Sequence, residues 1–375
     1  MFKLEKTSSS TKARTGTLST DHGEIKTPIF MPVGTVGSVK AVNQDDLAEK
    51  VKAQIILGNT YHLYLRPGNE IMQNAGGLHS FMRWDRPILT DSGGYQIFSL
   101  SDNRKLEEEG ATFKSHLDGS SHLFTPENVV ETQRVLGSDI MMILDECPPY
   151  PAEKSYVKNS MGLTHRWAER GRKAFLKSKP LYGHNQAQFG IVQGGTYKKL
   201  RKESSDFMSS LNFEGLAIGG LSVGEPNELM YEISDFNTDH LPENKPRYLM
   251  GVGTPANLLQ CVARGVDMFD CVMPTRNARN GMIFTRNGKI NLRNAKWKHH
   301  HEPLDTGFPS DLCQKYKMSY LHHLFKANEL LGLELASKQN LTFYIWLMSE
   351  ARKRIEDDTF AEWYGPMSET VDQKI

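Results

Sequence analysis

A chain of 375 residues exceeds one average domain, and an apolar content of 38% supports a sizeable core, as in an α/β barrel with additions. Lys and Arg number 45 against 44 Asp and Glu; the net charge of +1 excludes a global basic field and leaves nucleic-acid contact to local patches. Four scattered cysteines (Cys147, Cys261, Cys271, Cys313) argue against a disulfide framework. MFKLEKTSSSTKART has no apolar core and no window reaches membrane-spanning length, so a cytoplasmic protein without membrane contact is expected.

In chain order, residues 14–30 alternate around Asp21-His22-Gly23, which predicts a hairpin before the first core strand. Short apolar runs then recur at 29–33, 54–58, 88–91, 140–145, 189–193, 216–220, 248–251 and 268–270. Helical patterns over 43–51, 126–136, 153–178 and 256–264 fall between them. Buried strands alternating with helices imply parallel pairing, and eight units predict a (β/α)8 barrel. Residues 112–124 read as an inserted hairpin with a two-residue turn at Asp118-Gly119, and the charged run 105–109 as a solvated loop. Thr125-Pro126 reads as an N-cap with proline at N1. The expected division is a barrel with its hairpin over 1–281, a C-terminal subdomain over 282–365 and a flexible tail over 366–375. Within the subdomain, 283–294 reads as strand, 314–333 and 341–355 as helix.

The C-terminal ends of barrel strands carry the chemistry of this fold. Here they bring Asp91, Asp145, Gln193, Gly220, Met250 and Asp270 to one mouth, where a core alone would not require acids. In MFDCVMPTRNARNG, Asp270 ends a strand and Arg276 and Arg279 follow. This suits either a working carboxylate beside a phosphate-bearing substrate or a loop-capping Asp beside solvated arginines. In TDSGGYQ, the N–H groups around Gly93 and Gly94 suit a substrate heteroatom and Tyr95 suits stacking on a planar base, or the segment is a tight turn with Tyr95 as packing. In DECPPYP, Asp145 suits the paired N–H groups of a guanine edge, and the prolines stiffen a pocket wall. Gln193-Gly194-Gly195 and Gly219-Gly220-Leu221 supply an amide and bare backbone donors, or simply allow close packing at the rim.

TDSGGYQ, DECPPYP, GIVQGG, AIGGLSVGE, YLMGVGTP and MFDCVMPTRNARNG, in this order, resemble the bacterial tRNA-guanine transglycosylases, the queuine tRNA-ribosyltransferase family, over roughly residues 10–360. The resemblance implies exchange of the wobble guanine of GUN anticodons for a 7-deazaguanine base in queuosine biosynthesis. It implies Asp270 as nucleophile and Asp91 as the proton-transfer residue. Ser92, Gly93, Gly94, Asp145, Gln193, Gly220 and Leu221 then hold the base, with Tyr95 and Met250 on its two faces. Gly251, Val252, Gly253, Thr254, Pro255, Ala256 and Asn257, with Thr275, Arg276, Asn277, Ala278 and Arg279, match the segments that contact tRNA. In the family's queuine-using eukaryotic members the positions of Cys147 and Val223 carry valine and glycine, so 7-aminomethyl-7-deazaguanine is the expected incoming base. Two carboxylates acting on an N-glycosidic bond follow the logic of retaining glycosidases, on a base turned out of its stack.

The chain departs from the family's zinc site, whose four ligand positions fall on Phe308, Ser310, Cys313 and Gln339. One ligand of four survives where tetrahedral structural zinc needs four, so no metal cofactor is expected. A rewired site using Cys313 with His299–His301 or His322 is the alternative. Burial of Phe308, Tyr316, Tyr320, Leu321, Leu324 and Phe325 is expected to hold the tail instead. Tyr316, Tyr320 and His323 share a face suited to a second copy, so a homodimer is expected. Two rival functions remain. A non-catalytic tRNA-binding relative need not keep both Asp91 and Asp270, and a metallohydrolase barrel would carry His-x-His on a first strand that lacks it.

Overall fold

The computed structural model describes residues 2–100 and 104–375. Eight short strands form one parallel sheet: Ile29–Met31, Ile56–Asn59, Ile88–Asp91, Ile140–Met142, Ala187–Val192, Gly215–Ile218, Arg247–Leu249 and Met268–Asp270. Chain neighbours lie side by side, and the eighth strand returns to the first with Phe269 opposite Phe30. The ring closes where Val33 bridges Leu57, with the Gly34 N–H donating to the Leu57 carbonyl at 2.7 Å. This is the expected (β/α)8 barrel. Its strands are buried on both faces, and that is why they appear in the sequence as unbroken apolar runs.

The N-terminal hairpin (Arg14–Thr20 with Gly23–Thr27) carries a third strand, Phe2–Thr7, which its mostly polar FKLEKT sequence conceals. Arg14 fastens this sheet to the barrel's N-terminal end. Its Nε donates to Asp267 at 2.9 Å, Nη2 pairs with the same carboxylate, and neither side chain is more than 3% exposed. Removing one partner of such a buried pair typically costs about 3–5 kcal/mol.

Two local expectations fail in the insertion after strand three. The run at 105–109 is not wholly a solvated loop, because Lys105–Leu106 pairs with Ala111–Lys114, which pairs in turn with Ser121–Phe124. The hairpin connection spans residues 115–120 rather than two, because the Asp118 carboxylate accepts from the Ser120 N–H at 3.1 Å and builds a wider turn. The next helix, Pro126–Leu136, starts as expected, with Thr125 and Asn128 capping each other and Pro126 in the first turn.

Beyond the barrel, Met282–Thr285 and Gly288–Asn291 form a hairpin where one strand-like stretch was expected. The helices are Asp311–Lys315, Met318–Ala327, Leu330–Glu356 and Phe360–Asp372. The single helix expected over 314–333 is broken at Asn328, whose φ of 57° ends the middle one. The last ten residues do not fray. Phe360–Asp372 is helical, Val371 is buried, and Lys374 bridges Lys289. The apolar spacing Phe360, Tyr364, Met367, Val371 drives this and is masked by polar neighbours. The C-terminal unit shares the barrel's core: Tyr344 meets Phe30 edge-on at 4.7 Å and donates to the Gly253 carbonyl. Among the described residues no helix is long and apolar enough to cross a membrane.

Candidate active site

Asp91 ends strand three and is held from strand two. Asn59 donates its Nδ2–H to one carboxylate oxygen, and the Thr60 N–H donates to the other at 3.0 Å. Asn59 also caps the helix Thr60–Leu65, its Oδ1 accepting from the His62 N–H at 3.1 Å. Burial raises the Asp91 carboxyl to about 7; the Thr60 N–H opposes this and the charge of Asp270 adds to it.

Asp270 ends strand eight and is held from strand seven. The Tyr248 hydroxyl donates to its Oδ1 at 2.6 Å and the Gly251 N–H to the same oxygen at 2.8 Å. Burial lifts its pKa, and these two donors pull it back. All the donors found for Asp270 among the described residues fall on Oδ1, which leaves Oδ2 for a substrate atom.

Asp145 and Gln193 form the third element. The Gln193 Nε2–H donates to Asp145 Oδ2 at 2.7 Å, and burial raises Asp145 to about 6. Gln193 Oε1 is buried without a donor among the described residues, an acceptor open to an N–H. Two glycines make this packing possible. A Cβ at Gly94 would lie 2.5 Å from the Asp145 carbonyl, and one at Gly220 (φ 64°) would lie 2.4 Å from Gln193 Oε1.

Tyr95 is 51% exposed, which removes the reading of it as packing, and Met250 is half-buried. Ser92 is buried and accepts the Gly94 N–H at 3.3 Å, so it holds the turn. Leu221 and Cys147 are buried and Val223 is half-buried, its N–H donating to Glu225 at 3.0 Å. Burial pushes the Cys147 thiol up to about 12, so it is an uncharged group.

The segments expected to meet RNA are only partly accessible. Gly251 is exposed and Thr254 and Ala256 half-buried, but Val252, Gly253, Pro255 and Asn257 are buried. Of the second segment Thr275 and Ala278 are buried, which leaves Arg276, Asn277 and Arg279 on the helix Met273–Arg279. Neither arginine has a carboxylate partner among the described residues, and Arg279 Nη1 is buried without an acceptor.

Sequence reasoning missed Asn59, Tyr248 and Arg201. The first two look like ordinary strand residues, and KKLRKESS reads as a solvated helix face. Arg201 is in fact fully buried, and its Nη1 donates to the carbonyls of Val192 at 3.1 Å and Gly219 at 2.7 Å. It ties together the two loops that carry Gln193 and Gly220.

The tail positions do not fit zinc. Ser310 Oγ donates to Gln339 Oε1, Cys313 Sγ lies 3.2 Å from the same oxygen, and Gln339 Nε2 donates to the Phe284 carbonyl at 3.1 Å. Burial raises the Cys313 thiol to about 11. Phe308 is buried against Trp346, ring centroids 5.7 Å apart. Of the histidines in the alternative site, His322 bonds the Leu292 carbonyl at 2.8 Å and His301 bonds Ser319 at 2.9 Å.

The family model described as queuine tRNA-ribosyltransferase matches residues 8–373. A protein named queuine tRNA-ribosyltransferase from Caldanaerobacter subterraneus subsp. tengcongensis is 57% identical over 362 residues, covering 96% of this chain and 95% of the relative. One of the same name from Halalkalibacterium halodurans is 51% identical over 371 residues, covering 97% and 96%. The chain belongs to the queuine tRNA-ribosyltransferase family.

Proposed function

We propose that this transglycosylase replaces the wobble guanine of tRNAs with GUN anticodons by 7-aminomethyl-7-deazaguanine, through a ribosyl–Asp270 intermediate in queuosine biosynthesis. The observation that carries this reading is the unequal setting of two acids at one mouth. Asp270 has one oxygen fixed by donors and one free, while burial holds Asp91 at about 7. Asp270 Oδ2 attacks the ribose C1′ as the C1′–N9 bond breaks, and the departing guanine takes a proton from Asp91. The incoming base returns a proton to Asp91 as its N9 bonds C1′ and Asp270 leaves. A group that titrates near neutrality suits giving and then accepting that proton. Asp145 and the free Gln193 Oε1 offer acceptors to the N–H groups of the base, and Tyr95 and Met250 offer its faces contact. Arg276 and Arg279, without counter-ions among the described residues, suit tRNA phosphates.

Covalent capture of tRNA on denaturing gels tests the roles of the acids. Asp270→Asn should give no protein–tRNA band; a persistent band would move the nucleophile elsewhere. Tyr248→Phe removes a donor that lowers the Asp270 pKa, so the acidic limb of capture should move upward in pH. An unchanged limb would remove Tyr248 from that role.

Val223 carries two methyl groups where the larger cyclopentenediol of queuine would need room, and a clash in a packed pocket is costly. Direct competition should favour the aminomethyl base, and preference for queuine would refute the steric argument.

The tail is proposed to fold without zinc, on the Ser310–Cys313–Gln339 hydrogen bonds and the burial of Phe308. Untagged parent and Cys313→Ser protein should contain the same amount of zinc; a loss confined to the variant would restore a tail site.

A homodimer is proposed through the stacked rings of Tyr316 and Tyr320, 6.0 Å apart, with Tyr320 and His323 exposed. Light scattering should give twice the chain mass for the parent and less for Tyr320→Asp. A monomeric parent would overturn this proposal.

A further inference from the structure

At the barrel's N-terminal end, opposite the acids of the mouth, three half-buried histidines meet. His22 lies in the turn of the N-terminal hairpin, His79 in the helix Gly77–Met82 and His184 in the loop before strand five. One ring nitrogen from each lies within 4.8 Å of the others. The rings of His22 and His79 stack with centroids 3.7 Å apart, and His184 stands edge-on to both.

The hydrogen bonds fix which nitrogens are protonated. His22 Nδ1 lies 2.8 Å from one oxygen of the fully buried Asp139, and His79 Nε2 lies 3.2 Å from the other. The Ile88 N–H donates to the same carboxylate at 2.8 Å. An ionised carboxylate only accepts, so both ring nitrogens facing it carry hydrogens. His184 Nε2 faces the Gly137 carbonyl at 2.9 Å and carries one as well. The remaining nitrogens, His22 Nε2, His79 Nδ1 and His184 Nδ1, hold lone pairs without a protein donor among the described residues.

Imidazoles whose second nitrogen donates to a carboxylate or carbonyl are the arrangement by which proteins orient metal ligands. We infer that His22, His79 and His184 form a binding site for a divalent transition cation such as zinc, with Asp139 and the Gly137 carbonyl orienting the rings. Tetrahedral zinc with nitrogen bonds of about 2.0–2.1 Å brings ligand atoms to roughly 3.4 Å of one another. Bringing three lone pairs onto one cation requires the His22–His79 stack to open; His22 lies in a turn and His184 in a loop. An open groove of about 520 Å³ beside His22 and His79, flanked by Asp45 and Glu49, gives a cation access.

The test is dialysis of the untagged full chain against low-micromolar zinc alone, followed by elemental analysis. The expected result is one zinc per chain in the parent and in Cys313→Ser, lost in His79→Gln and in His184→Ala. His184→Ala removes a single hydrogen bond to a loop carbonyl, so it keeps the test open if His79→Gln does not fold. It should also leave guanine exchange unaltered, because the site lies away from the mouth. No uptake by the parent, uptake that survives His184→Ala, or uptake abolished by Cys313→Ser would overturn the assignment.

Discussion

Three carboxylates share one mouth, and the rest of the site depends on giving each its own donors. Burial alone would neutralise all of them. The structure answers with a neighbouring strand for each acid: Asn59 and Thr60 for Asp91, Tyr248 and Gly251 for Asp270, Gln193 for Asp145. Short parallel strands with fixed register allow this, because Asn59, the last residue of strand two, sits opposite Asp91, the last of strand three, and Leu249 sits opposite Phe269, next to Asp270.

The support continues outward. Arg201 gathers the carbonyls of Val192, Gly219 and Gly220, so it fixes the segments that carry Gln193 and Gly220 against each other. At the other end of the barrel Arg14 and Asp267 tie the N-terminal sheet to the seventh and eighth strands, where Asp267 also accepts the Arg247 N–H at 2.7 Å. The long helix Leu330–Glu356 reaches from the tail to the barrel wall through Tyr344. Tail and barrel are therefore a single packed body.

The barrel was legible because its strands are doubly buried, and the acids because a carboxylate at the end of an apolar run needs a reason. Arg201 was not legible, since nothing local distinguishes a buried arginine from its solvated neighbours in KKLRKESS. The final helix was hidden by polar residues between its apolar positions, and the strand Lys105–Leu106 by its charge. In the segments expected to meet RNA, the motif marks a stretch of chain, while burial decides that Val252 and Ala278 face the core and Arg276 faces solvent.

Asn59 satisfies two demands with one amide: its oxygen caps a helix and its nitrogen holds Asp91. Asn and Asp are near-equal N-caps elsewhere, so drift between them is ordinarily tolerated. Here an aspartate would keep the cap and set a second negative charge against a buried acid. Serine or threonine would keep the cap but lack the reach of the amide. The position is closed to substitutions that helix capping alone would permit.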